Sequence, residues 1–308
     1  MNPLSTATST ATAMASMANP TPATLASTHA SRPLSQLAGL LMRRAFLLLL
    51  ALVVLASLVG PWLISADPYT QNLLQRMQEP VWSVDGSWQH VFGTDALGRD
   101  VLARLLYGVR VSALIGLSVA LMGGVIGTTL GVLAGYFGGT VDRVISFLIT
   151  ARLSLPIILV ALAVVALFGT SLLTVVMVLG LLLWERYALV SRTMAASLRN
   201  AEFVTASRIQ GCSHLQIMWH DILPNLFANL LIVGTIDAAL AITLEASLSF
   251  LGLGVPPPMP SLGLMIAEGK DNILFQPSLV VIPGVVLFLL VLCVNRCGEY
   301  LQARQAKD

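Results

Sequence analysis

Charge is what this chain of 308 residues has least of. Asp, Glu, Lys and Arg together make up 10% of it, and the formal net charge is +2. A soluble domain carries about 25% charged residues, so the polar surface needed to stay in water is missing. The apolar residues, 56% of the chain, gather into long uncharged windows, and the solvent such windows match is lipid. No basic run interleaved with aromatics occurs, which removes nucleic acid as a partner. Lysine is nearly absent. Lys270 and Lys307 are the only two, and neither ends a Gly-x-x-x-x-Gly-Lys frame, so no phosphate-binding loop is expected. With no His-Glu-x-x-His pair, nucleophile or paired carboxylates in a recognisable cleft either, the chain reads as a non-enzyme without a cofactor. Energy for any transport must then come from a separate protein. Cys212, Cys293 and Cys297 are an odd number without metal-ligand spacing, and we read them as small hydrophobes rather than a metal or redox centre.

Acidic residues are missing before Asp67, and the first charge of either sign is Arg32. Ala, Ser and Thr fill 20 of the first 31 positions, a composition that cannot repay its ordering entropy, so residues 1–40 read as a disordered tail. An acid-free start is also how an organelle transit peptide looks. A cleaved secretory signal fits less well, because the apolar stretch 45–65 is long enough to cross a bilayer at about 1.5 Å per residue.

Hydropathy marks clear spans at 45–65, 111–137, 226–252 and 278–295. Two further segments, 153–169 and 171–190, carry Arg152, Glu185 and Arg186 near their ends; we expect these charges at headgroup level by snorkelling. The expectation is an all-α, polytopic membrane protein with six spans. Its parts are a first helix over 41–66, an extracytoplasmic segment over 67–110, a five-helix core over 111–298 and a tail over 299–308. With the N-terminus inside, twelve basic residues lie on the cytoplasmic side and five outside, so both termini are expected in the cytoplasm. The loop 192–225 is then cytoplasmic, while 66–110 and 253–277 face outward.

That loop reads Asn200-Ala201-Glu202-Phe203-Val204-Thr205-Ala206-Ser207-Arg208-Ile209-Gln210-Gly211, then nine residues, then Asp221-Ile222-Leu223-Pro224-Asn225. Physically this is a short amphipathic helix, a glycine suited to a left-handed turn, a second short helix, and a proline where the next span begins. Physics alone leaves two readings open, an ordinary interfacial loop or a rigid knob offered to a soluble partner. At these residues the chain resembles the EAA loop of ABC-importer permeases, whose pattern is Glu-Ala-Ala, three residues, Gly, nine residues, Ile-x-Leu-Pro. Thr205-Ala206-Ser207 stands at the Glu-Ala-Ala position, Gly211 and Leu223-Pro224 fall in register, and Asp221 replaces the isoleucine.

From about residue 40 onward the chain is similar to the C-type permeases of the dipeptide, oligopeptide and nickel importers. The likeness rests on Glu202-Phe203-Val204, the block from Phe92 to Leu102, Gly135-Tyr136-Phe137-Gly138-Gly139 with Asp142, and the block from Glu245 to Gly254. The resemblance implies a type I ABC-importer permease fold in a bacterial inner membrane, forming half of a pore with a B-type permease. It also implies two ABC ATPase subunits, an extracytoplasmic substrate-binding protein, and a small solute, with peptides the commonest cargo and nickel chelates or glutathione-like molecules as alternatives. Coupling to the ATPases is then assigned to 198–224, with Glu202, Ala206, Gly211, Leu223 and Pro224 as its marked residues.

Other residues carry both a local and a functional reading. Gly127, Gly131 and Gly135 recur every four residues and leave one helix face bare for close packing. Asp237 and Glu245 are the acids well inside a span, so they must face protein or water; a pore or outer gate is one role, and for Glu245 a structural hydrogen bond to a neighbouring loop is the other. Asp95, Arg99 and Asp100 form either a helix-capping and salt-bridge cluster, with Asp95 near the helix start, or a docking point for a binding protein. His214 and His220 read as ordinary polar contacts. An ion-coupled secondary transporter using Asp237 and Glu245 is the competing class; it calls for inverted internal repeats, and none is evident.

Overall fold

The computed structural model describes residues 67–305. The tail expected over 1–40, the first span expected over 41–66, and residues 306–308 lie outside the described residues. Irregular backbone with one 3-10 turn, Leu73–Gln75, leads into α1, Val101–Phe137. At 37 residues α1 is about 55 Å long, well over the hydrocarbon thickness of about 30 Å. It therefore begins ten residues before the expected span 111–137, and Asp100 starts it by accepting the Ala103 N–H at 2.7 Å.

α2, Gly139–Leu153, and α3, Ile157–Phe168, follow with an 86° bend between them. Alone, the 12 residues of α3 reach about 18 Å, too little to cross, so the span expected over 153–169 exists only if the bent pair crosses as one. Next come α4, Leu172–Leu182, and α5, Glu185–Leu198, interrupted at Leu183 and Trp184. The loop expected from 192 is thus still helical in its first residues. After α6, Glu202–Ile209, a continuous helical path runs from His214 to Phe250, of which α7 is Leu223–Phe250. α8, Leu262–Gly269, and α9, Ser278–Gln305, close the described chain, and α9 overruns the expected span 278–295.

Among the described residues there is no strand, and four helical stretches are long and apolar enough to cross a membrane, or five with the bent pair. The α-class, polytopic expectation therefore holds there, with the sixth expected span falling among residues not described.

The interior is organised around α1. On its face toward α5, a Cβ added at Gly127 would sit 2.7 Å from Tyr187 Cβ, one at Gly131 would sit 2.7 Å from Ser191 Cβ, and one at Gly135 would sit 2.8 Å from Ala195 Cβ. Gly123 continues the stripe against Leu183, an extension that sequence spacing had not marked. Lipid tails offer no hydrophobic drive for helix association, so this bare face lets dispersion between backbones do the work. Ile115 and Val119 of α1 then pack with Val165, Leu179 and Leu248 in one apolar cluster, while Val101, Leu105 and Val109 pack with Ile242, Leu262 and Leu290 in another.

A matched pair of substitutions tests the stripe. Gly131→Ala should cost about 1–3 kcal/mol by overpacking and lower both the yield of monodisperse protein and its thermal midpoint in detergent. Gly284→Ala, where a Cβ meets nothing within 4 Å, should leave both unchanged or slightly raised. Equal behaviour of the two variants would refute the seam.

Candidate functional site

The segment linking α5 to α7 is built as a hairpin of short helices. The Ala201 N–H donates to the Leu198 carbonyl at 2.9 Å, and α6 then runs from Glu202. Gly211 reverses the chain at φ +84°, with its N–H donating to the Arg208 carbonyl at 3.1 Å. Nothing lies within 4 Å of where its Cβ would be, so glycine is required there by backbone conformation and not by crowding. Ser213 restarts the helix through a capping box with Gln216: the Ser213 Oγ accepts the Gln216 N–H at 3.3 Å, and the Gln216 Oε1 accepts the Ser213 N–H at 2.9 Å. Pro224 stands in the first turn of α7, where the next span was expected to begin. Ile217–Ile222 forms a widened π turn, which accommodates the missing proline N–H, and α7 continues through it.

One side of this hairpin is fixed to the body of the molecule. Val204 of α6 is buried in a cluster with Val132 and Tyr136 of α1, Ala195 of α5, and Ile217, Ile222 and Leu226. Tyr136 adds polar ties: its hydroxyl is 2.9 Å from His214 Nδ1, and the Arg208 guanidinium lies 5.6 Å from its ring centroid. Phe137 packs edge-on against the same histidine. Asp142 of α2 pairs with Arg192 of α5, Nη2 to Oδ2 at 3.0 Å. Of the residues marked from sequence, Glu202, Ala206, Gly211 and Pro224 are exposed and Leu223 is half-buried. Sequence reasoning passed over Tyr136 as an anchor and treated His214 as incidental. The other side is apolar and uncovered, with Ile209 83%, Leu215 75% and Trp219 68% exposed.

Inside the membrane-crossing region, Asp237 lies midway along the 28 residues of α7 and is fully buried, with Oδ1 3.1 Å from Arg186 Nη1. Arg186 itself lies midway along the 27-residue stretch Leu172–Leu198. Next to it, buried Glu185 faces Arg152 at 3.6 Å, and the Arg152 guanidinium donates to the Leu182 carbonyl that ends α4. These three charges were expected at headgroup level. In the structure each has an opposite charge from a distant part of the chain: Arg152 and Glu185 are enclosed together, while Arg186 pairs with buried Asp237 and keeps a half-exposed guanidinium. A lone charge at this depth costs about 2.5–3.5 kcal/mol on insertion scales, which explains why they occur as pairs at a helix interruption. Glu245 has a different setting. It is fully buried, and its Oε1 accepts the hydroxyls of Ser249 at 2.7 Å and Ser261 at 2.8 Å; Ser261 also caps α8, so Glu245 ties α8 to α7.

At the N-terminal end of α1, Asp95, Arg99 and Asp100 are all buried. Asp95 Oδ1 accepts the backbone N–H groups of Leu97 and Arg99, and its Oδ2 takes Arg99 Nε at 2.6 Å. Glu268 of α8 completes the cluster, at 3.0 Å from Arg99 Nη2 and 2.7 Å from Arg104 Nη1. Asp100, not Asp95, is the helix cap, and it also meets His90 Nδ1 at 2.7 Å. The cluster holds the segment before α1 against α8. Exposed Trp82, Val84 and Trp88 form the outer surface of that segment. No group of His, Cys, Asp and Glu suited to a metal occurs among the described residues.

Comparison with known proteins places this geometry. The model of the binding-protein-dependent transport system inner membrane component family matches residues 127–307, which include the glycine stripe, the hairpin and Asp237. The dipeptide transport system permease protein DppC of Haemophilus influenzae is 34% identical over 264 residues, covering 86% of this chain and 88% of that protein. The di/tripeptide transport system permease protein DppC of Pseudomonas aeruginosa is 37% identical over 256 residues, covering 83% and 84%. Among solved structures, a chain of the MetNI methionine ABC transporter in an inward-facing conformation superimposes with a TM-score of 0.52 at 18% identity, over 65% of this chain and 95% of that one. At that identity the likeness speaks for the fold alone. With the family model covering more than half of the chain and two relatives above 30% identity over most of it, this chain belongs to the family of binding-protein-dependent transport system inner membrane components, as a multi-pass membrane permease.

Proposed function

We propose that this chain is the C-type permease subunit of an ATP-driven importer of di- or oligopeptides. In this reading it forms half of a pore with a B-type permease and receives the work of two ABC ATPase subunits through residues 198–224. The observation that carries it is the hairpin. A stiff element with an uncovered apolar face is tied by Val204 and Tyr136 to α1 and runs without a break into α7. A push on Ile209, Leu215 and Trp219 by a closing ATPase would pass through the Val204 cluster into α1, and along α7 to Asp237. Peptide as cargo rests on the relatives' transport of dipeptides and di/tripeptides. The Arg186 partner of Asp237 and the two serines on Glu245 weigh against coupling carboxylates of an ion-driven transporter.

Orientation is part of the proposal. Removing Arg152 and Arg186 from the twelve basic residues assigned to the cytoplasm leaves ten against five outside, which still favours cytoplasmic termini and a cytoplasmic hairpin. In a background lacking the native cysteines, Asp85→Cys should be labelled by an impermeant thiol reagent from outside intact cells, and Asn200→Cys should not. Labelling of both from one side would overturn the orientation.

On the outer side, the proposed docking surface for a binding protein is the segment over 67–110, with Asp95, Arg99 and Asp100 holding it in shape. Asp95→Ala leaves Arg99 and Arg104 buried beside one remaining acid, and should lower the amount of folded permease several-fold. Trp88→Ala should leave that amount unchanged and weaken binding-protein affinity about tenfold. If Asp95→Ala expressed and docked normally, the assignment would be lost.

Gly211→Val tests the coupling role. A β-branched residue at φ +84° meets about 1–2 kcal/mol of left-handed strain, while no span residue changes. Insertion and assembly with the second permease should persist, but uptake should fall at least tenfold, with ATPase subunits lost or no longer stimulated by the binding protein. Wild-type uptake with the ATPases bound would reduce the hairpin to a plain connection.

A further inference from the structure

The paired charges at the interruption between α4 and α5 are unequal in exposure. Asp237 is fully buried, while the Arg186 side chain is 48% exposed. Both lie midway along their membrane-crossing helices, so the exposed part of this guanidinium is at a depth where lipid cannot solvate it. Its exposed side must be met either by a water-filled route or by another subunit.

The chemistry of the contact favours the first. Among the described residues the partner of Arg186 is Asp237, which takes Nη1 through a single oxygen. That leaves the side edge of the fork, Nε and Nη2, without a partner among the described residues, and this edge presents two parallel N–H donors matched to the two oxygens of a carboxylate. Asp237 fixes the guanidinium from behind without neutralising that edge geometrically, and its own Oδ2 has no hydrogen-bond partner among the described residues. The backbone beside it is irregular at Leu183 and Trp184, and the carbonyl freed at Leu182 is met by Arg152. Non-helical backbone at membrane depth is tolerated where it is packed in protein or borders an aqueous cavity, and broken helices in transporters are where solute is bound.

We propose that Arg186 is a recognition point for a carboxylate of the solute in mid-passage, and that Asp237 is the positioning residue that holds its guanidinium toward the route. The inference rests on the peptide-permease reading, since a peptide supplies such a carboxylate. It adds a binding residue where sequence reasoning saw a snorkelling arginine.

The test uses the complete importer with its binding protein in proteoliposomes, and a dipeptide as the probe. Arg186→Gln should lower dipeptide uptake per assembled complex at least tenfold, while binding-protein-stimulated ATP hydrolysis per assembled complex stays near the wild-type level; the amount assembled falls because Asp237 loses its charged partner. Arg186→Lys, which keeps the charge and loses the fork, should fall between. A readout within one folded protein is provided by Arg186→Cys in a background lacking the native cysteines. A cationic aminoethyl methanethiosulfonate should react there and restore uptake several-fold, and a neutral methanethiosulfonate of similar size should not. Unchanged uptake per assembled complex in Arg186→Gln would overturn the inference while leaving the peptide reading intact. So would a cysteine at 186 that never reacts, or loss of the second permease subunit from a variant chain that is itself folded, since both place the residue at a subunit contact. Failure of the wild-type importer to take up any dipeptide would overturn both readings together.

Discussion

Every working part of this molecule depends on how closely α1 and α5 approach. In water, apolar side chains would hold the two helices together by hydration alone; in lipid that drive is gone, and contact has to come from backbone dispersion across a face without side chains. Gly127, Gly131 and Gly135 supply that face, and Trp184, Tyr187, Ala188 and Ser191 occupy it. The approach fixes α5 in depth and rotation against the longest helix in the described chain. It thereby sets where the interruption at Leu183 and Trp184 falls, and which way Arg186 faces. It also brings Ala195 beside Tyr136, which creates the cluster that seats Val204 and the hairpin.

Charge inside this membrane protein follows one rule with two uses. Where a charge and its partners are all enclosed, as in the ion pair of Arg152 with Glu185 or the hydrogen bonds of two serine hydroxyls to Glu245, they brace interrupted or adjoining helices. Where one member is enclosed and the other half-exposed, as in Asp237 with Arg186, the exposed member has donors to spare. The cost of burial is the same in kind; what differs is whether the geometry uses up the donors. A comparable enclosed set, Asp95 with Arg99, Arg104 and Glu268, braces the segment before α1 against α8, joining parts of the chain far apart in sequence.

The hairpin joins these regions. Its rigidity is local, from the Ser213–Gln216 box and the left-handed Gly211, whereas its attachment is tertiary, through Val204, Tyr136 and His214. The π turn carries it into α7, so the helical path from His214 to the helix bearing Asp237 is continuous. That continuity links an uncovered apolar surface at one end of the protein with a polar site at mid-depth.

Much of this was legible in the order of residues. Low charge and long apolar windows specify a helical membrane chain, because lipid leaves a backbone no alternative short of a closed barrel. The four-residue glycine period marks a packing face, and the Glu202–Asn225 pattern marks the hairpin with its turn at Gly211, since periodicity and backbone freedom are local properties. Depth and partnership are not local. Arg186 and Asp237 are 51 residues apart, and Arg152 reaches the Leu182 carbonyl from 30 residues away. Read along the chain, Arg152, Glu185 and Arg186 are charges at the ends of apolar segments, and snorkelling is the expected outcome. Only the packed structure supplies the opposite charges that hold them inside, and only there does Asp100 rather than Asp95 become the cap of α1. The sequence by itself determined the membrane class, the helix faces and the turn; tertiary structure decided which charges are buried and with whom, because a buried charge is tolerable only beside a partner that folding brings to it.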